Sequence, residues 1–253
     1  MGVDSPITGS SPRRRGVPRF RARSRRDPRQ ARFVTLASLR WIIRHRAWSW
    51  FYLIRYWRLL WFRLRNPHVI LEGFVFIGKG ARIEARRGYG RIIIGRWVHL
   101  GQGVALRAHE GSLRVGSKTV FGQQTMVNAY LDIEIGEKCL ISDWIYIGDF
   151  DHVYDDIHMP IKDQGIVKSP VRIGPDCWVG NKATVLRGSV LGRGCVLGAN
   201  AVAKGEFAPE SVIVGIPGRV IRNRRDMYEA AAQRRIDLAD IARKTAAAAA
   251  RRR

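Results

Sequence analysis

The sequence predicts an all-β solenoid, a parallel β-helix with a helix at each end, and three observations predict it. From Ile173 onward every sixth residue is aliphatic, at Ile173, Val179, Val185, Leu191 and Leu197. Gly follows at 174, 180, 192 and 198, and a small residue stands four places on, at Cys177, Ala183, Ser189, Cys195 and Ala201. The register recurs upstream, at Ile94, Leu100 and Leu106, at Val115, Phe121 and Val127, and at Ile135, Ile141 and Ile147. Gly95, Gly101, Gly116, Gly122, Gly136 and Gly148 again take the second place.

The period has a simple physical reading. A short strand buries one aliphatic side chain, then the chain turns sharply; Gly tolerates the turn and a small residue fits the tight inner corner. Three such strands make a triangular coil of roughly 18 residues, and stacked coils bury continuous aliphatic columns. Cys177 and Cys195, one coil apart, are expected to stack in one corner column, and Ile77-Gly78 with Ile83 reads as the first, capping coil. The slips from 106 to 115 and from 127 to 135 read as short corner loops. The gap between Ile147 and Ile173 reads as a long loop, a place where function is often carried.

The ends differ from this body. Residues 1–66 carry 17 Lys/Arg against two acids and residues 222–253 carry 10 against four, so the net charge of +24 is concentrated at the termini. Residues 1–32 read as a disordered basic arm. Residues 33–66 read as one amphipathic Trp/Arg-rich helix holding five of the eight tryptophans, with Arg40, Arg44, Arg55, Arg58 and Arg65 in one sector. Two readings stand open for it: attachment to an anionic membrane surface, or packing on the protein. Pro67 ends it, the β-helix is expected over 67–222 with a loop at 149–170, and a C-terminal helix and tail over 223–253. Tyr228, Ile236, Leu238 and Ile241 are candidates for docking that helix on the solenoid end.

Function classes narrow accordingly. The basic arm has no nucleic-acid-binding fold behind it, so no specific nucleic-acid partner is expected. The opening MGVDSPITGSSPRRR does not read as a secretory signal, and the longest apolar run, Ala47 to Ile54, is too short to span a bilayer. Cys139, Cys177 and Cys195 form no CxxC pair and no metal-ligand spacing. Reduced cytoplasmic thiols are expected, with the protein peripheral on the inner face of the plasma membrane if residues 33–66 bind lipid.

The stretches IGDFDHVYDDIHMPI (147–161) and PVRIGPDCWVGNKATVLRGSVLGRGCVLGANAVAKGEFAPESVIVGIPGRVIR (170–222) resemble the hexapeptide-repeat acyltransferases. They look most like the maltose/galactoside O-acetyltransferase-like enzymes, of the polysaccharide O-acetyltransferase type. The resemblance implies a left-handed β-helix, a homotrimer with active sites between subunits, and acetyl-CoA or another acyl-CoA as donor, with no metal. It places the family's catalytic histidine at His152. It places donor contacts at Trp178, Gly180, Asn181, Gly198, Ala199, Asn200, Lys204, Arg219 and Arg222, with Ala203-Lys204 where the family has a Thr-Lys pair. Acceptor contacts fall at Asn128 and Asp132, and Trp144 is a candidate for stacking on a sugar.

The chemistry suits those residues. A hydroxyl attacks a thioester only if a base takes its proton, and imidazole titrates near neutrality. His152 lies among Asp149, Asp151, Asp155 and Asp156, any of which is a candidate to orient the ring. His158 is the second candidate base. The function expected is acyl transfer from acyl-CoA to a hydroxyl of a saccharide or glycolipid. The alternatives are a non-catalytic membrane-associated scaffold and a γ-carbonic-anhydrase-like metal hydratase, which needs three converging histidines.

Overall fold

A computed structural model describes residues 27–31 and 35–250, with side chains through 239; the expected basic arm lies almost wholly outside the described residues. Three parallel sheets form the faces of a triangular prism. Face A starts at Ile70–Leu71, face B at Val75–Ile77 and face C at Arg82–Ala85, and the chain visits them in that order six times before a final partial coil. The result is a left-handed parallel β-helix.

The aliphatic register stacks as the period requires. Ile94, Val115, Ile135, Ile173 and Leu191 are paired coil to coil on face A. Leu100, Phe121, Ile141, Val179 and Leu197 do the same on face B. All are buried. The sequence pattern missed the face A strand of the first coil, Ile70–Leu71, because its two residues carry no following Gly.

The small corner residues form polar columns as well as filling space. Thr119 Oγ1 donates to the Gly136 carbonyl at 2.8 Å and Cys139 Sγ to the Gly174 carbonyl at 3.2 Å. Cys177 Sγ donates to Gly192 at 3.1 Å and Cys195 Sγ to Ala208 at 3.2 Å. Cys177 and Cys195 therefore stack as expected, with Cys139 below them. Each thiol donates to a carbonyl one coil on, so the column ties neighbouring coils together at this corner.

Residues 33–66 form two helices in place of one, α1 (Leu36–Arg44) and α2 (Trp50–Arg65). The reason is local. Arg46 takes a left-handed φ of 47°, Arg46 N–H bonds the Ile43 carbonyl and Ala47 N–H bonds the Ile42 carbonyl. That pair of bonds is a helix-terminating cap, and the buried Ala47 seals it. The single arginine sector drawn across both helices therefore does not exist as one face. Leu59 of α2 joins the solenoid core and Phe62 packs against it, while Trp41 of α1 lies 4.4 Å from Trp97, ring to ring. The pair thus caps the first coil.

The loop 149–170 is an arm. Phe150–His152 pairs antiparallel with Ile166–Lys168, and a single helical turn, α3 (Ile161–Gln164), lies between them. At the C-terminus, Arg219–Asn223 folds back antiparallel on Ser211–Val214 before α4 (Arg224–Ala250). Tyr228, Ile236 and Leu238 are exposed and do not dock on the solenoid; the Ile241 side chain lies outside the described residues. The first turn of α4 holds the end instead: Arg224 donates to the Gly194 carbonyl at 2.7 Å and pairs with Asp176 at 3.6 Å.

Corner glycines are required by coil spacing. A Cβ on Gly136 would meet backbone atoms Pro175 N at 2.4 Å and Gly174 C at 2.6 Å. These are backbone atoms of the next coil, with no flexible side chain to yield. Gly136→Ala is expected to destabilise by about 1–3 kcal/mol, the usual cost of overpacking, and to lower the melting midpoint. An unchanged midpoint in thermal unfolding would show that the coils can spread.

Candidate active site

The arm leaves the solenoid at the corner between faces C and A, after the fourth coil. Asp149 pins it there. Its fully buried carboxylate accepts from the backbone N–H of Tyr130 at 2.7 Å, Leu131 at 2.8 Å and Asp132 at 2.7 Å. Burial pushes this carboxyl up, and the three amides pull it part of the way back. The Asp149 carbonyl accepts from Ser169 N–H at 2.9 Å, closing the base of the arm. An aromatic string runs beneath: His109 on Tyr130 at 4.5 Å, Tyr130 on Phe150 at 4.3 Å, and Phe150 edge-on to His152 at 6.2 Å.

His152 is exposed on the arm, its backbone paired with Ile166. Of its four candidate orienting carboxylates, Asp149 is taken by the amides, and Asp151 is held by Arg187 at 2.6 Å. Asp156 accepts from His158 N–H at 2.8 Å in a local turn. Among the described residues no carboxylate is bonded to the His152 ring.

Near the foot of the arm, Asn128 stands beside Gly148 in the face C ladder. It is 9% exposed, and its Oδ1 is buried without a partner, an acceptor poised for an incoming donor. The Tyr146 ring lies close over Gly148, where a Cβ would meet its hydroxyl at 2.5 Å. Burial pushes the Tyr146 phenol up, while Asn128 hydrogen-bonds it. Asp132 also has a buried oxygen without a partner, its Oδ1. Its other carboxylate oxygen is shared by Arg114, at 3.0 Å, and Arg172, so it ties three successive coils.

The expected donor residues gather elsewhere. Gly180 and Asn181, then Gly198, Ala199 and Asn200, occupy the corner between faces B and C in the fifth and sixth coils, with Asn181, Ala199 and Asn200 exposed. Trp144 stands on the same corner, one coil below Lys182, whose N–H bonds the Asp143 carbonyl. Gly180 also has a packing duty, since a Cβ there would meet Ala199 N at 2.6 Å. Trp178 is on face B beside this corner, its indole N–H bonded to Ser142 Oγ at 3.2 Å. With Leu140, Val196, Val212, Arg222 and Met227 it lines a cavity of about 640 Å³. Arg219 is exposed on the returning strand. Lys204 is not with this group; it is exposed on the corner that carries the arm. The described residues bring no three His, Cys, Asp or Glu side chains together as a metal site.

Comparison with known proteins agrees with this architecture. Residues 170–205 match the model of the bacterial transferase hexapeptide family (six repeats). A Mycobacterium tuberculosis protein named a probable acetyltransferase is 56% identical over 233 residues, covering 90% of this chain and 78% of that protein. The chain belongs to the hexapeptide-repeat acetyltransferases. The galactoside O-acetyltransferase of Escherichia coli K12 is 30% identical over 107 residues, 41% of this chain and 51% of that enzyme. Among solved structures, a point mutant of a Bacillus cereus N-acyltransferase, in complex with dTDP and coenzyme A, shares the fold. Its TM-score is 0.53 at 20% identity, over 68% of this chain and 93% of that one.

In this hexapeptide-repeat acetyltransferase, sequence reasoning missed Arg187 and Tyr146. Both become visible once coils are stacked in register. Arg187 follows Val185, which pairs with Ile147 directly before the arm, and Tyr146 lies two residues from Gly148. Asp149→Asn removes an acceptor oxygen and turns an amide N–H₂ toward backbone N–H groups. Each buried donor left unpaired costs about 1–3 kcal/mol. The variant is expected to lower the melting midpoint and to open residues 149–170 to limited proteolysis. Wild-type resistance in the arm would show that Asp149 is not its anchor.

Proposed function

We propose that this acetyltransferase moves an acetyl group from acetyl-CoA to a hydroxyl of a saccharide or glycolipid, with His152 as general base. The observation that carries the reading is the arm itself. Three buried amide bonds on Asp149 fix its foot, and it carries an accessible imidazole, while the buried, unpartnered Oδ1 of Asn128 belongs to the residue beside Gly148 at that foot. The likeness to a galactoside O-acetyltransferase supports a saccharide acceptor.

The residues then divide the work. His152 takes the proton of the acceptor hydroxyl as its oxygen forms a bond to the thioester carbonyl carbon. The carbon–sulfur bond breaks, and the imidazolium returns the proton to the departing thiolate. Asn128 Oδ1 accepts a hydrogen bond from a second acceptor hydroxyl and so orients the sugar. The Asp151–Arg187 pair keeps the arm's first strand over the fifth coil.

A homotrimer completes this reading. His152 leaves the C–A corner, whereas Asn181, Ala199 and Asn200 lie on the B–C corner, the width of face C away, about 20 Å for a six-residue side. One chain does not bring base and donor groove together. A second copy whose groove lies against the arm does, and a head-to-tail contact of that kind closes into a ring. The arm's exposed Tyr154, Ile157, Met159 and Ile161 support such a contact. The three buried, unbridged thiols support a cytoplasmic setting.

His152→Ala is expected to fold with an unchanged melting midpoint and to lose acetyl transfer by at least about a hundredfold, the scale of a lost general base. His158→Ala is expected to keep near-normal turnover, because its ring has no bonded place in the site. Acetyl-CoA turnover with a panel of glycans, read by mass shift, is the measurement. Near-normal turnover in His152→Ala would overturn the assignment.

A further inference from the structure

The two N-terminal helices turn their most apolar stripes away from the protein. Helical residues advance about 100° each, so Trp50, Leu53, Ile54, Trp57, Leu60, Trp61 and Leu64 fall in one sector of roughly 120° on α2. All seven are exposed, Trp50 at 76%, Trp57 at 65% and Leu64 at 70%. The opposite side of α2 carries Leu59, Phe62, Tyr52 and Tyr56. Leu59 and Phe62 meet the solenoid core, while Tyr52 lies edge-on to Phe76 and Tyr56 packs tilted against Phe74. α1 repeats the arrangement: Trp41 packs inward on Trp97, while Leu36, Leu39 and Ile43 form an exposed i, i+3, i+7 row. The protein-packing reading therefore accounts for one face of each helix and leaves the more apolar face uncovered.

Charge identifies what covers it. Residues 28–71 contain nine arginines and no acidic residue, and residues 1–32 hold ten Lys/Arg. On α2 the arginines lie to one side of the stripe and behind it: Arg65 borders it, 4.2 Å over the Trp61 ring, while Arg55 lies 3.4 Å over the Phe51 ring outside the stripe. A second copy of the same face would set arginines against arginines with no carboxylate between them. A bilayer surface offers what the face lacks, an apolar layer for tryptophan and leucine under a plane of phosphates for the guanidinium groups. Among the described residues no helix is long and apolar enough to cross a membrane, so the contact is interfacial.

We infer that α1 and α2 dock this acetyltransferase on the surface of an anionic phospholipid bilayer, with the outward stripe of α2 buried at the headgroup boundary. The helices cap the first coil, so the solenoid stands with that end on the lipid. The arm leaves the fourth coil, three coil spacings or about 14 Å from the first, close enough to serve an acceptor carried on a lipid. The docking does not depend on the catalytic reading and is tested without activity.

The experiment is co-sedimentation of the full chain with phosphatidylcholine vesicles, with and without phosphatidylglycerol, in low and high salt. Binding is expected to need the anionic lipid and to weaken with salt. Trp57→Glu with Leu64→Glu is expected to cut the bound fraction at least about tenfold, with melting midpoint and mass in solution unchanged. Three results would overturn the inference: a wild-type chain that stays in the supernatant, vesicle binding that ignores the double substitution, or a double variant whose mass in solution falls. The last would show that another copy covers the face.

Discussion

Coils that stack at one hydrogen-bonded spacing leave each residue very little choice of place. Position within the six-residue repeat decides whether a side chain enters the core, fills a corner or meets solvent, and coil number decides its neighbours above and below. The buried thiol column, the backbone contacts that a Cβ on Gly136 would make, and the ionic tie of Asp132 to Arg114 and Arg172 all follow from that spacing. A rigid stack of this kind also makes departures from it conspicuous. The largest is the arm at 149–170, and the solenoid spends its most completely satisfied buried carboxylate, Asp149, on holding the arm's foot.

The same geometry separates functions by corner. The arm and Asn128 lie toward the C–A corner, and the exposed Asn181, Ala199 and Asn200 lie on the B–C corner. A triangular prism cannot fold one of its corners onto another. Under the proposed mechanism, chemistry that needs both corners calls for two chains. Lys204 stands on the arm's corner, two coils beyond its foot, and not on the corner of Asn181, Ala199 and Asn200.

Most of the solenoid was legible because its signal is periodic and repeated. Ile94 through Leu197 could be assigned to core columns from spacing alone, and Cys177 over Cys195 followed from the coil length. Features set by a single local event were not legible. The cap at Arg46 and Ala47 splits the N-terminal helix through two backbone bonds that no apolar pattern announces. The helix α4 carries apolar residues suited to docking, yet Tyr228, Ile236 and Leu238 are exposed, and Arg224 in its first turn bonds the solenoid end. At the candidate site, the arm was readable as a loop from the gap between Ile147 and Ile173, while Arg187 and Tyr146 were hidden until register placed them beside residues 36 and 18 positions away.

The central claim, that one copy supplies the base and the next supplies the donor groove, is tested most directly by complementation between subunits. His152→Ala lacks the base; Ala199→Trp, on the exposed B–C corner, obstructs the groove without entering the core. Each variant alone is expected to be inactive. Co-refolded in equal amounts, random assortment pairs an intact His152 with an intact neighbouring groove at about one site in four, so roughly a quarter of wild-type acetyl transfer should return. A mixture no more active than its two components would place base and groove on the same chain and contradict the account.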